Sequence, residues 1–399
     1  MLARNSERKP AVSVIIPARN EEACLGACLE SLVGQSGVDM ELIVVDDDST
    51  DRTRQIAQSF TNVKVIDPPP LREGWTGKNN AVAAGARASR GNWLLFTDAD
   101  TVHRRGSLAR AMAEAREQKA ALLSYSPEQE VHGLWQKAAM PVIFAELATT
   151  YRPSRVSDAA SSAAAANGQY LLISREAYEA VGGHAAVARS LLEDVDIARA
   201  VKRSGRKIFF RYGADAVRTR MYRSFPQMCE GWTKNLAILF ASPLRLAVMR
   251  LSEFVLIVGT SALAVRSAVR GMEGIVLFSA AVALVLWTLF FRRIRTAHFS
   301  WQANAVSLLG LPLFSYLLLR STLSYRRGTV FWKGRSYASP TPAASGKAER
   351  NLALRSFEPR SGGRIEPTAQ AVGESATGTS PGRGERDVTH VYLNPTDEG

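Results

Sequence analysis

Four short apolar runs, each closing on a polar or acidic loop, constrain this chain more than any other feature. Residues 12–16 (Val-Ser-Val-Ile-Ile) lead into Pro17-Ala18-Arg19-Asn20-Glu21-Glu22, and residues 41–45 lead into Asp46-Asp47-Asp48-Ser49-Thr50-Asp51. Residues 63–66 lead into Asp67-Pro68-Pro69-Pro70, and the run Trp93-Leu94-Leu95-Phe96 precedes Asp98-Ala99-Asp100. Nearly continuous β-rich runs read as strands buried on both faces. Helical patterns separate them: Leu25, Leu29, Leu32 and Val33 share one face, and an Ala-rich stretch extends to Ala88. Strand alternating with helix implies an α/β fold with a doubly wound, mostly parallel sheet. Ligands of such sheets sit at the carboxyl ends of the strands, where these loops emerge.

The same pattern continues downstream. Residues 121–125 extend the sheet, and 131–150 read as a helix that Pro141 is expected to kink. The Ala/Ser-rich stretch 157–166 reads as a mobile loop, 167–173 as a further strand, 175–181 and 192–202 as helices.

The loops carry the chemistry. Two hard oxygen donors at Asp98 and Asp100 suit Mg²⁺ or Mn²⁺ shared with a diphosphate, since such ions keep several waters and need few protein ligands; capping of the next helix is the structural alternative. Three acids at Asp46, Asp47 and Asp48 are costly after a buried strand unless donors or a ligand meet them. Capping by Ser49 or Thr50 explains one polar residue of that loop, while an acid there can accept from a base N–H or ribose hydroxyls. The first loop has no G-x-G-x-x-G, which disfavours a nicotinamide or flavin site. Lys78, behind Gly74-Trp75-Thr76-Gly77, stands at a helix start, where backbone N–H groups attract anions; a solvated lysine is the alternative. Glu193 and Asp194 fall in a helical first turn, where acids suit the dipole and where a carboxylate can also serve as general base.

Charge and hydropathy add a membrane. The formal charge is +13 over 399 residues. Residues from Pro340 on hold seven basic and eight acidic side chains, leaving 43 and 29 in the body. A basic body suits an anionic surface or substrate, and the apolar segments at about 248–269, 274–291 and 299–319 favour those over nucleic acid. The first has an uninterrupted core of only twelve uncharged residues, 254–265. Residues 223–242 mix aromatic, apolar and basic side chains and read as an interfacial helix. The basic clusters at Arg292-Arg293-Ile294-Arg295 and 326–335 both ask for the cytoplasmic side. The third segment, interrupted by Gly310 and Pro312, is therefore expected to be re-entrant or sharply kinked. Cys24, Cys28 and Cys229 give no disulfide framework, and buried thiols explain them better than a metal pair. The polar start lacks a secretory core. The Ser/Pro/Gly-rich stretch 339–399 reads as disordered.

In order, Val14-Ile15-Ile16-Pro17-Ala18-Arg19-Asn20-Glu21-Glu22, Val44–Asp51, Gly77-Lys78-Asn79-Asn80-Ala81, Asp98-Ala99-Asp100 and Glu193-Asp194 resemble the family 2 glycosyltransferases, inverting enzymes of the GT-A fold that use nucleotide-diphospho-sugars. The resemblance covers roughly residues 11–240. It implies that Pro17, Ala18 and Glu21 form the first nucleotide loop and that Asp46 or Asp47 reads the base. It places Lys78 toward the donor, Asp98 and Asp100 at a metal, Asp194 as catalytic base and Glu193 beside the acceptor. Processive members carry Q-x-x-R-W; here Gln227-Met228-Cys229-Glu230-Gly231-Trp232-Thr233-Lys234 has one residue too many and no arginine before Trp232. Trp232 and Lys234 remain as donor-site candidates, although a lysine lacks the arginine fork. This stretch is closer to membrane enzymes that glycosylate carotenoid acids, hopanoids or ceramide.

The expected arrangement is therefore a polar tail (1–10), a GT-A domain (11–222), an interfacial helix (223–242), a membrane region (243–338) and a tail (339–399). The expected activity is hexose transfer from a nucleotide-diphospho-sugar, UDP-linked by family analogy, to a lipid-like acceptor at the inner cell membrane, with the catalytic domain cytoplasmic. A polysaccharide synthase and a non-catalytic sugar-nucleotide sensor are the alternatives.

Overall fold

The computed structural model describes residues 9–332 and 335–337; the expectations for residues 1–8 and for the tail from 338 on lie outside them. The chain opens with β1 (Val12–Ala18), α1 (Leu25–Val33), β2 (Met40–Asp46), α2 (Thr53–Gln58), β3 (Val63–Ile66), α3 (Gly77–Ala88) and β4 (Trp93–Phe96). These four strands pair in parallel in the order β3-β2-β1-β4. Successive side chains of a strand face opposite ways. Val14 and Ile16 thus join Leu42, Val44, Leu25 and Leu29 on one face. Ile15 joins Ile43, Val45, Ala81 and Val82 on the other.

The second half of the sheet departs from plain alternation. After β5 (Thr101–His103) and α4 (Ser107–Glu117) come β6 (Leu122–Ser126), β7 (Glu128–Gln129), α5 (Gly133–Thr150), α6 (Pro153–Ser157) and β8 (Leu171–Ser174). Then follow α7 (Arg175–Ala180), α8 (Gly183–Ala186), α9 (Glu193–Arg203), β9 (Ile208–Tyr212) and β10 (Val217–Thr219). β8 inserts between β4 and β6 and runs antiparallel to both, with Leu172 opposite Leu95 and Leu123. The reason is the excursion through α5 and α6. It leaves from the carboxyl end of β6 and returns at that same end, so the next strand runs back. β9 is parallel to β6, and β5-β10-β7 form a small second sheet beside the strand ends.

α5 runs as one helix of 18 residues with Pro141 inside it. One expectation changes here. The stretch 157–166 is anchored: Ala164, Ala165 and Ala166 are buried, and Lys202 Nζ donates to Val156 O (2.7 Å) and Ala163 O (2.6 Å).

Beyond β10 the chain is helical: α10 (Phe225–Leu239), α11 (Pro243–Val269), α12 (Glu273–Ile294), α13 (Trp301–Val306) and α14 (Gly310–Arg326), then the hairpin β11 (Val330–Trp332) and β12 (Arg335–Tyr337). Helices Pro243–Val269, Glu273–Ala297 and Trp301–Arg326 are long and apolar enough to cross a membrane. α11 and α12 pack as a hairpin. A 3-10 turn, Ser307–Leu309, divides α13 from α14. A third apolar cluster joins α5, α10 and α14 to parts of α11 and α12 through Ile143, Trp232, Leu236, Ile257, Phe290 and Phe314. α5 and α14 approach so closely that a Cβ on Gly310 would collide with the Ala138 carbonyl oxygen. A charged quartet completes this junction: Arg250 meets Glu146 (2.9 Å) and Glu253 (2.8 Å), and Arg293 meets Glu146 (3.5 Å) and Glu253 (2.8 Å).

Candidate active site

One cavity of about 710 Å³ collects almost every residue singled out in the loops. Its wall includes Pro17, Ala18 and Glu21 from the end of β1, Asp47 past β2, Lys78 on α3, and Asp98 and Asp100 past β4. Glu193 and Asp194 of α9, and Trp232 and Lys234 of α10, close it. The register explains the convergence. β2, β1 and β4 are parallel neighbours, so their last residues and the loops after them emerge side by side.

Asp46 stands apart from this group. Its carboxylate is buried, takes the Arg54 Nε–H at 2.8 Å and accepts from Ser49 N at 3.3 Å. It stabilises the turn and α2, while Asp47 forms part of the cavity wall. Arg19 caps the same turn by donating to the Asp47 carbonyl at 2.6 Å.

Lys78 is placed by the start of α3, where the Thr76 side chain accepts from Asn79 N. Its ammonium lies 2.8 Å from Asp98 Oδ1 and 2.9 Å from Glu193 Oε1. Burial works against the ammonium, but Asp98 and Glu193 more than compensate and hold its pKa well above the ordinary lysine value. The lysine thus ties the loop after β4 to the first turn of α9. Burial also works against ionised Glu193, yet Lys78 and Lys234 together keep its pKa below the ordinary carboxylate value.

Asp194 differs from its neighbour. Burial, reinforced by the adjacent Glu193 charge, pushes its pKa up to about 7, although Lys78 and two backbone donors oppose the shift. Those donors are Gly168 N, 2.7 Å from Oδ2, and Val195 N, 2.8 Å from Oδ1. Two adjacent carboxyl groups with pKa values driven apart form an arrangement suited to proton transfer near neutrality. Lys234, half-buried, has its pKa lowered by desolvation.

Sequence patterns did not single out several wall residues. Gly168, which the sequence pattern places in a strand, lies in the turn before β8, where a Cβ would come within 3.2 Å of Lys78 Nζ and 3.5 Å of Asp194 Oδ2. Arg220 follows β10 in the cavity wall, and its buried Nε has no hydrogen-bond partner among the described residues. Phe144 and Leu147 of α5, Tyr151 just past its end, Leu239 of α10, and Ala297, His298 and Phe299 after α12 form an apolar side of the same cavity. Phe144 makes edge contacts with both Trp232 and Phe299. Trp232 is buried and donates to the Met140 sulfur at 3.4 Å. No local motif marks the α5 residues, because their role depends on which helices pack together.

Residues 13–182 match the family profile for Glycosyl transferase family 2. The 4,4'-diaponeurosporenoate glycosyltransferase of Staphylococcus haemolyticus (strain JCSC1435) is 32% identical over 240 residues, which are 59% of this chain and 63% of that relative. The alignment therefore spans just under two thirds of that protein. The enzyme of the same name from Staphylococcus aureus (strain MRSA252) is 28% identical over 341 residues, 82% of this chain and 88% of the relative. Among solved structures, the mannosyltransferase PcManGT from Pyrobaculum calidifontis, in complex with GDP-Man and Mn²⁺, superposes with a TM-score of 0.49 at 16% identity, covering 80% of this chain and 87% of that one. Residues 13–182 thus carry a domain similar to the family 2 glycosyltransferases, and both curated relatives are named glycosyltransferases.

Proposed function

We propose that the protein transfers a hexose, with inversion, from a nucleotide-diphospho-sugar to an acceptor with a long apolar chain. The observation that carries this reading is the continuity of the cavity. The carboxylate cluster at Asp98, Glu193 and Asp194 and the apolar side at Phe144, Leu147 and Phe299 line one and the same cavity. The two relatives named for a carotenoid acid support the same acceptor class.

In this reading the first loop and Asp47 hold the nucleotide. Asp194 takes the proton from an acceptor hydroxyl, whose oxygen then bonds to the anomeric carbon as the bond to the diphosphate oxygen breaks. A carboxylate with a pKa of about 7 is strong enough as a base and still ionised in useful fraction at neutral pH. Lys78, Lys234 and Arg220 surround the departing negative charge, and fixed cations in a desolvated site favour that charge as it develops.

Asp98 and Asp100 offer two hard oxygen donors. Among the described residues no three His, Cys, Asp or Glu side chains gather into a protein cage. Such a donor set fits Mg²⁺ or Mn²⁺ that fills its shell with diphosphate oxygens and water. When bound, the ion neutralises negative charge on the diphosphate. We place the enzyme in the inner cell membrane with this unit cytoplasmic, since α12 and α14 both end on arginines, Arg293 reaches Glu146 of α5 and Tyr325 of α14 reaches Lys234 of α10.

The test uses membranes containing the protein, Mn²⁺, a total lipid extract and labelled sugar nucleotides, with Asp194→Asn as control. Label should enter the organic phase and vanish in the variant. Label confined to an insoluble polymer would replace this reading with a synthase. Donor binding without any transfer would replace it with a sensor.

A further inference from the structure

The third apolar segment differs from the first two in how it is covered. In the most apolar window of Pro243–Val269 only 6% is buried, and in that of Glu273–Ala297 only 17%, against 44% in Trp301–Arg326. α11 and α12 instead present large apolar side chains outward along their whole length, from Val248, Val255 and Val269 to Leu277, Leu284 and Leu289.

We propose that residues 301–326 lie along the catalytic unit at the bilayer surface, so that the chain crosses the bilayer twice, through α11 and α12. This assignment concerns membrane topology and does not rest on the transfer reaction.

Four contacts carry it. At the near end, Gly310 rests on the Ala138 carbonyl of α5. In the middle, Ser315 Oγ donates to the Ala247 carbonyl (2.9 Å), one turn into α11 from its catalytic end. Further on, Ser321 Oγ donates to Thr233 O (2.6 Å) and accepts from Ala237 N (2.9 Å), both on α10. At the far end, the Tyr325 hydroxyl donates to Lys234 O (2.7 Å). α5 and α10 both line the cavity. A straight helix of this length spans about 40 Å, so a crossing segment would take one end to the opposite side of the bilayer. Here both ends stay on helices of the catalytic unit, and the turn at Ser307–Leu309 lets the segment follow them.

The outward face fits the headgroup region. Trp301, Tyr316 and Leu319 are exposed there with Arg320, and Arg326 and Arg327 follow. Aromatic and arginine side chains on one face, with a packed face opposite, suit the interface between water and acyl chains. α12 returns to the same level, because Arg293 reaches Glu146 on α5. With two crossings, Arg292, Arg293, Arg295 and the Arg326–Arg327 pair all share one side, as the distribution of basic residues requires.

Single cysteines read the topology directly. Glu117→Cys on α4, Met272→Cys in the turn between α11 and α12, and Arg327→Cys after α14 are placed at exposed positions. The unsubstituted chain sets the background, since Cys28 and Cys229 are buried and Cys24 partly so. Each variant is treated with a membrane-impermeant maleimide in intact cells and after lysis. Arg327→Cys should label on the same side as Glu117→Cys and opposite Met272→Cys. Labelling of Arg327→Cys together with Met272→Cys would mean a third crossing and overturn the proposal. Labelling of all three from one side would overturn it by removing the two crossings.

Discussion

The two ends of the cavity are built from different materials. At one end, carboxylates and ammonium groups sit one or a few residues past parallel strands or in helical first turns, where sheet register sets their spacing. At the other, Phe144, Leu147, Leu239 and Phe299 arrive on helices and a link far apart in the chain, held by packing alone. Changes at the charged end should therefore act on the chemical step for any acceptor. Changes at the apolar end should act on long-chain acceptors only.

The largest effect is expected at Asp194. Removing a positioned base costs about 10²–10⁴-fold, so Asp194→Asn should lower kcat on that scale while calorimetry finds donor affinity nearly unchanged. Undiminished transfer would remove Asp194 as the base. In the unaltered enzyme, the base must be ionised and its pKa is raised to about 7. The rate should rise with pH through that value and fall about tenfold per unit well below it.

Lys78→Met should come next, at roughly 10²-fold in kcat, in line with the loss of one fixed charge at a developing anion. The sign of its pH effect is set by electrostatics. Without the ammonium, Glu193 and Asp194 lose the charge that favours their ionised forms, so the acid limb should move to higher pH. Lys78→Arg should restore part of that position. An unshifted limb in Lys78→Met would separate the lysine from the carboxyl pair.

Phe144→Ala sharpens the contrast from the other side. It removes ring contacts with Trp232 and Phe299 and the apolar surface they shelter. A loss of about 1.4 kcal/mol, tenfold in KM, is expected for a long-chain acceptor. A short, water-soluble acceptor should be unaffected. Equal losses for both would show that the two ends do not act separately.

Much of the charged end was legible beforehand because its signals are local. A strand followed by an acid-rich loop places its acids at the carboxyl edge whatever the rest of the chain does, and Asp47, Lys78, Asp98, Asp100, Glu193 and Asp194 all line the cavity. Local pattern could not separate Asp46 from Asp47. That choice depends on Arg54, which reaches Asp46 from α2 and engages it within the turn. Nor could it show that Lys78 bridges Asp98 and Glu193, residues far apart in the chain. The strand near residue 171 was foreseen, but its antiparallel direction follows from where the α5 excursion returns.

Sequence by itself determined the strand-and-helix alternation, the acid-bearing loops, the family resemblance and the presence of long apolar segments. Periodicity and loop composition are properties of neighbouring residues and need no knowledge of the fold. Tertiary structure alone decided which carboxyl group is desolvated, and so which pKa rises. It also decided which helices wall the cavity and how the third apolar segment is covered. Each of these depends on groups brought together across the chain, and desolvation and packing act only once the chain has closed around them.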